Sequence, residues 1–398
     1  MREPSDDRSR SGRKRPSVEK IGDLAAEAGL GKVHILAWRD AADVEAGGSE
    51  LHASVICRLW AQAGIEVTMR TSYAQGSPPE SVRDGFRVIR RAGRYMVFPR
   101  AAVAELSGRH GPRDGLVEIW NGMPFFTPVW ARGPRVTFLH HLHTEMWPLV
   151  MGPTLARAGQ ILERDLAPWL YRRSAVVTLS ESSKAALVAN TSLRADRIHV
   201  VPPGVSDEFT PADSRSADPL LVAVGRLMPS KRFASLIEMM ARVRSRLPVR
   251  LVIVGEGYER DRLERVISRV GADDWCELRG FVPQAGLVDL YRSAWAVVSA
   301  SNSEGWGMTI SEAAACGTPA VATRIAGHAD AVDDGVTGLL AEDDDEFVDQ
   351  ILTILNDPDQ RERLGAAARL QASRYSWART AHDTLAVLAA EVARHRRR

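Results

Sequence analysis

From residue 31 to about residue 375 the chain repeats one pattern. A short apolar, β-branched run is followed by a turn and then by a longer stretch with apolar residues three or four apart. Parallel strands need this rhythm, because the return to a parallel neighbour requires a crossover, usually helical, of a dozen or more residues. Strand candidates are residues 33–38, 65–70, 86–90, 116–120, 135–140, 175–179 and 198–201. A helix is expected over 49–63, with Leu51, Val55 and Leu59 on one face, Ser49 as its N-cap and Gly64 as its stop. The joint Val201-Pro202-Pro203-Gly204 and the polar stretch 210–218 interrupt the rhythm, which restarts at 220–224, 249–254, 276–279, 295–299 and 319–323. The fold class predicted is α/β: two doubly wound parallel-sheet domains, with a cleft where the carboxyl ends of the strands gather loops.

The expected division is a disordered tail over 1–30, a first domain over 31–203, a second over 204–375, and a terminal helical segment over 376–398. That last segment places Trp377, Ala381, Leu385, Leu388 and Val392 on one face, so it is expected to pack back across the first domain. The tail is assigned on charge, since the first twenty residues hold seven basic and four acidic groups and almost nothing apolar. They lack the apolar core of a secretion signal, and no run approaches the roughly 18 apolar residues of a membrane span. Lys+Arg 52 against Asp+Glu 50 argues against a dedicated nucleic-acid binder. Cys57, Cys276 and Cys316 form no CxxC pair, which points to a reducing, cytoplasmic setting. Arg394, Arg396, Arg397 and Arg398 read as a solvated end, with peripheral contact to anionic lipid kept open.

Four features carry chemistry. In Gly225-Arg226-Leu227-Met228-Pro229-Ser230-Lys231, after the strand 220–224, two cations at a sheet's carboxyl edge suit a diphosphate. A basic surface turn is an equal reading of that segment alone. The second feature runs from Ser303 to Glu312, where Glu304 and Glu312 bracket Gly305-Trp306-Gly307-Met308-Thr309 at the start of a helix. Glycines permit close backbone approach, and unpaired N–H groups at a helix N-terminus suit an anion. Glu312 can accept from ribose hydroxyls and Glu304 from a sugar. The third is Gly47-Gly48-Ser49, resembling a phosphate-cradling turn but without either common phosphate-loop spacing. The fourth is His140-His141-Leu142-His143, readable as a metal site, as cleft imidazoles or as structural histidines. No Cys or HExxH helix completes a metal set. Gly255-Glu256-Gly257-Tyr258-Glu259-Arg260 narrowly misses a dinucleotide fingerprint, since Arg260 stands where Gly or Ala belongs.

In this order the four features resemble the retaining glycosyltransferases of family 4, over about residues 31–393, most specifically from Gly225 to Glu312. The resemblance implies the GT-B fold of two facing Rossmann-like domains. It makes Arg226 and Lys231 diphosphate ligands and Glu312 the ribose ligand. Glu304 and the amides of Gly305, Trp306, Gly307 and Met308, with Thr309 beyond them, would face the donor sugar. Phe281 and Val282 would meet the base, Gly47 and Gly48 the phosphates or acceptor from the opposite domain, His140 the cleft, and Asn121 the acceptor side. The implied reaction moves a sugar from a nucleotide-diphosphate sugar to an acceptor hydroxyl on a glycan, lipid or small molecule. It proceeds with retention, without a metal or a resident cofactor. A pyridoxal-phosphate-dependent sugar phosphorylase, an NAD-dependent sugar-nucleotide enzyme and a non-catalytic sugar-binding protein are the alternatives.

Overall fold

The computed structural model describes residues 16–140, 142, 147, 152–212 and 215–397. The first sheet contains β1 (Lys32–Leu36), β2 (Glu66–Thr71), β3 (Glu80–Arg83), β4 (Phe86–Arg90), β5 (Gly115–Ile119), β6 (Arg135–Phe138), β7 (Ala175–Thr178) and β8 (Ile198–Val200). Their spatial order is β3-β4-β2-β1-β5-β6-β7-β8. Every neighbouring pair is parallel except β3 with β4, a hairpin closed by Asp84-Gly85. Both turn residues have positive φ, 47° and 87°, the geometry that suits a two-residue hairpin to the twist of its strands.

The second sheet contains β9 (Leu220–Val224), β10 (Arg250–Val254), β11 (Cys276–Gly280), β12 (Ala296–Ser299), β13 (Ala320–Thr323) and β14 (Gly338–Ala341). Its order is β11-β10-β9-β12-β13-β14, parallel throughout. Strand order reverses between β1 and β5 in the first sheet and between β9 and β12 in the second. At such points the loops leave in opposite directions and open a crevice. The segments of interest leave β1, β5, β9 and β12, so topology alone gathers them.

Two parts of the sequence reading change. Residues 18–28 are a helix rather than tail: Val18–Ala28 buries Ile21 and Ala25 in the core of the first domain. Gly29 closes it in the left-handed conformation, φ 69°. The following helix is Gly48–Gln62, whose N-cap is Gly47 rather than Ser49. The Glu50 carboxylate accepts the Gly47 N–H at 2.8 Å, which is the half of a capping box that the third helical residue supplies.

The helix Trp377–Arg396 lies on the first domain. Ala381, Leu385, Leu388 and Val392 share a buried cluster with Ile21, Val33, Trp60 and Val136. Trp60 Nε1 donates to the Ala381 carbonyl at 3.0 Å. The chain therefore crosses between domains twice, and the crossings touch: Val205 bridges Ser376, and a Cβ on Gly204 would lie 2.1 Å from the Trp377 nitrogen. Only glycine fits there. Among the described residues no helix is long and apolar enough to cross a membrane.

Candidate active site

The loop after β9 turns at Gly225, and a short helical turn, Pro229–Lys231, brings Lys231 back over it. A Cβ at Gly225 would meet Lys231 Cε at 3.2 Å, so the glycine makes room for the lysine stem. The ammonium forms an ion pair with Glu304, on the loop after β12, and Ser301 Oγ donates to the same oxygen at 2.8 Å. Both charged side chains are only about a fifth exposed, at 21% and 18%. Burial alone would raise the Glu304 carboxyl. The Lys231 charge and the hydrogen bonds from Lys231 and Ser301 outweigh it and hold the group below its usual range, as a carboxylate.

His328 was not legible as part of this site. It is fully buried on the helix Ala326–Ala331, with Nδ1 2.8 Å from the Thr323 carbonyl and Nε2 3.1 Å from Ser299 Oγ. The carbonyl can only accept, so Nδ1 carries the proton and Nε2 accepts from the serine. Burial lowers its pKa, which keeps the ring neutral. The same helix presses on the Glu304 loop: a Cβ on Gly327 would lie 2.3 Å from the Glu304 carbonyl oxygen. From the first domain, Ser180 and Ser183 hydroxyls donate to the Gly305 carbonyl, each at 3.4 Å. Ser182 reaches Asp330 beside them.

Gly307, with φ 100°, caps the helix Met308–Ala315 in a backbone region that side chains avoid. Trp306 turns away from the opening: it is 4% exposed, donates to Ser311 Oγ at 2.9 Å and packs edge-on against Tyr375. Its backbone, not its ring, belongs to the loop surface. Thr309 and Glu312 follow in the same helix and are half-buried. The Tyr291 hydroxyl donates to Glu312 Oε2 at 3.2 Å, and burial pushes the Glu312 carboxyl up to about 7. The two carboxylates thus differ in character, one held ionised by a cation, the other poised to titrate near neutrality.

On the β11 side, Phe281 is 78% exposed and Val282 half-buried. Gly255, in the near-fingerprint, has φ 137°, and a Cβ there would lie 2.0 Å from the Gly225 carbonyl oxygen. Close packing of adjacent strand-end loops therefore requires this glycine.

The opposite wall comes from the first domain. Arg226 Nη1 donates to the Glu45 carbonyl at 3.3 Å across the cleft. Cβ atoms on Gly47 and Gly48 would lie 3.3 Å from Arg226 Nε and 3.1 Å from Met308 Sδ. The two glycines, Arg226 and Met308 are therefore brought together. Asn121, after β5, donates to Ser49 Oγ at 3.2 Å and joins this wall. His140 lies deeper. It is 7% exposed, with Nε2 3.1 Å from Nδ1 of His52, a residue of the helix Gly48–Gln62 that the sequence motifs did not flag. Burial, with His140 beside it, pushes the His52 pKa well down. His141 and His143 lie outside the described residues. Among the described residues, one group has metal-like spacing, His34, Glu105 and His110, and it sits under the helix Val97–Leu106 rather than here.

Residues 206–371 match the family described as glycosyl transferases group 1, and residues 46–209 match glycosyltransferase family 4. A D-inositol 3-phosphate glycosyltransferase of Frankia alni is 33% identical over 386 residues, spanning 86% of this chain and 94% of that protein. Among solved structures, a sucrose-phosphate synthase from Thermosynechococcus elongatus superposes with a TM-score of 0.77 at 21% identity, over 89% of this chain and 97% of its own. Anabaena HepE, in complex with UDP-glucose, superposes with a TM-score of 0.67 at 20% identity, over 89% and 98%. The fold is GT-B.

Proposed function

Because this chain belongs to the glycosyl transferases of group 1, we propose that it transfers the sugar of a nucleotide-diphosphate donor to an acceptor hydroxyl with retention and without a metal. The observation that carries the reading is the placing of Arg226 and Lys231 at the carboxyl edge of β9, beside the Glu304–Met308 loop and opposite Gly47 and Gly48. A donor diphosphate fits between them, with the Arg226 guanidinium on one side and the Lys231 ammonium on the other. Lys231 has three N–H donors, so it keeps Glu304 and still offers hydrogens to a phosphate oxygen.

As the bond from the anomeric carbon to the phosphate oxygen breaks, the two cations meet the charge that develops on the leaving group. The acceptor oxygen forms its new bond on the same face, and its proton passes to the departing phosphate oxygen. Glu304 is a positioning residue for Lys231 in this scheme, and its carbonyl-side loop faces the sugar. Its pairing with Lys231 and Ser301 engages the carboxylate that a nucleophile would have to release. The donor complexes of HepE and the acceptor named for the Frankia relative guide the test. UDP-glucose and other nucleotide sugars are offered with D-inositol 3-phosphate among the acceptors, and the product's anomeric configuration is read by NMR. Inversion would overturn the retaining mechanism. Transfer is expected to survive EDTA with a modest loss at most, and abolition with rescue by one divalent ion would overturn the metal-free reading.

Glu312 gives a pH dependence. Its folded pKa is raised from 4.5 to about 7, so the free chain loses stability at this group as pH rises through that window. Ribose hydroxyls donate to the ionised form, so below about pH 7 nucleotide binding must expel a proton. Nucleoside diphosphate affinity is therefore expected to rise between about pH 6 and about pH 8. In Glu312→Gln the rise should shrink to that of the phosphate itself, with affinity at the upper pH lowered about tenfold. Calorimetric titration at several pH values checks both; equal pH profiles for the two chains would remove Glu312 from the ribose.

A further inference from the structure

The edge of the first sheet carries arginines where a doubly wound fold has aliphatic side chains. Arg87 and Ile89 share one face of β4, Arg91 follows just past its end, and Arg70 of β2 stands in register beside Ile89. The helix Val97–Leu106 covers this face only in part, leaving a groove of about 730 Å³. Arg70, Arg87, Arg91, Arg100 and Arg109 line it against a single acid, Glu80. Glu80 is taken up by Arg87 at 2.9 Å and Arg91 at 2.6 Å. Arg70, Arg100 and Arg109 have no carboxylate partner among the described residues.

Arg70 is the unusual member. It is 2% exposed, yet its guanidinium bonds only to the carbonyls of Thr71, Ile89 and Arg91. Burial, with Arg91 and Arg100 nearby, lowers its pKa to about 10. A buried cation without a counter-charge is costly, and an anion in the groove would relieve it. At the groove, Met96, the N-cap of the helix Val97–Leu106, lies in one row with Arg100 and Val103, and Leu106 lies just beyond. Met96, Val103 and Leu106 are 56%, 57% and 63% exposed. Arginines flanking an exposed apolar row are what an interfacial helix presents to a bilayer, whereas a soluble phosphate ester would need only the arginines.

We propose that this face binds the surface of an anionic phospholipid bilayer. One headgroup phosphate enters the groove among Arg70, Arg100 and Arg109, while Met96, Val103 and Leu106 enter the interface. The groove lies along the β3–β4 edge, apart from the donor loops, so the assignment does not depend on the transfer reaction.

Vesicle flotation tests it with the full chain. Vesicles containing phosphatidylglycerol should bind, more weakly as salt rises, and pure phosphatidylcholine vesicles should not. Arg100→Glu/Arg109→Glu, both at exposed positions, should lower partition at least roughly 25-fold, about fivefold per arginine, with unchanged thermal melting. Val103→Ser should weaken binding while leaving its salt dependence intact. Equal binding by the wild type and the double variant, or to both vesicle types, overturns the proposal. Displacement from vesicles by millimolar glycerol 3-phosphate would assign the groove to a soluble phosphate ester and overturn the membrane reading. Binding of a single-stranded oligonucleotide in preference to vesicles would do the same.

Discussion

Lys231→Ala is expected to lower turnover by about 10²-fold or more, because the departing diphosphate loses a cation already in place. The lysine also holds Glu304, so its removal leaves a largely buried carboxylate supported by Ser301 alone. The carboxyl should then move up from its depressed range, and activity should acquire a pH dependence that the wild type lacks there. Restoring an alkyl stem with Lys231→Met leaves the cation missing and should not recover turnover. Steady-state kinetics across pH, with melting curves as a folding control, provide the measurement. A folded Lys231→Ala chain with full turnover would take Lys231 out of the site.

Gly327→Ala should cost a comparable factor although it removes no polar group. The new methyl would lie 2.3 Å from the Glu304 carbonyl oxygen and 2.9 Å from the Trp306 nitrogen, both backbone atoms. Neither can rotate aside as a side-chain end would, so the loop must move. A shift near 1 Å in a positioning element can cost on the order of 10²-fold in rate. The expected signature is a fall in kcat with smaller change in nucleotide affinity, since Arg226 and Glu312 stay in place. An active Gly327→Ala enzyme would show that the Glu304 loop tolerates displacement.

The second domain was largely legible because most of its strands are apolar runs followed by turn-bearing loops, as at 220–231. Where that signal fades, elements were missed. β3 is a short edge strand, polar at three of its four residues and largely exposed, with no core-facing run to mark it. β14 offers only Gly338-Leu339-Leu340-Ala341, too short to show a period. Charge concealed the helix Val18–Ala28, although Ile21, Leu24, Ala25 and Ala28 recur at helical spacing. In the candidate site, the motifs are contiguous in sequence and could be read there, while the residues packed against them could not. Tyr291 and His328 approach the two glutamates from other helices, and Ser301 reaches Glu304 from three residues earlier on the same loop. Single hydrogen-bonding residues carry no pattern of their own. A histidine on a short helix just after a strand end was the one available hint at His328.

The seat of the helix Trp377–Arg396 sets an order of folding. Its Ala381, Leu385, Leu388 and Val392 complete the core that Val33, Trp60 and Val136 begin, and a Cβ at Gly115 in β5 would already strike Leu388. During synthesis the first domain emerges early but lacks that wall until residue 392 has left the ribosome. The second domain has all of its sheet by β14 and can close first. Domains ordinarily mature from the amino end, each as it appears. Here the first domain waits for a helix made after the whole second sheet, so its apolar face stays unfinished while β9 to β14 are synthesised.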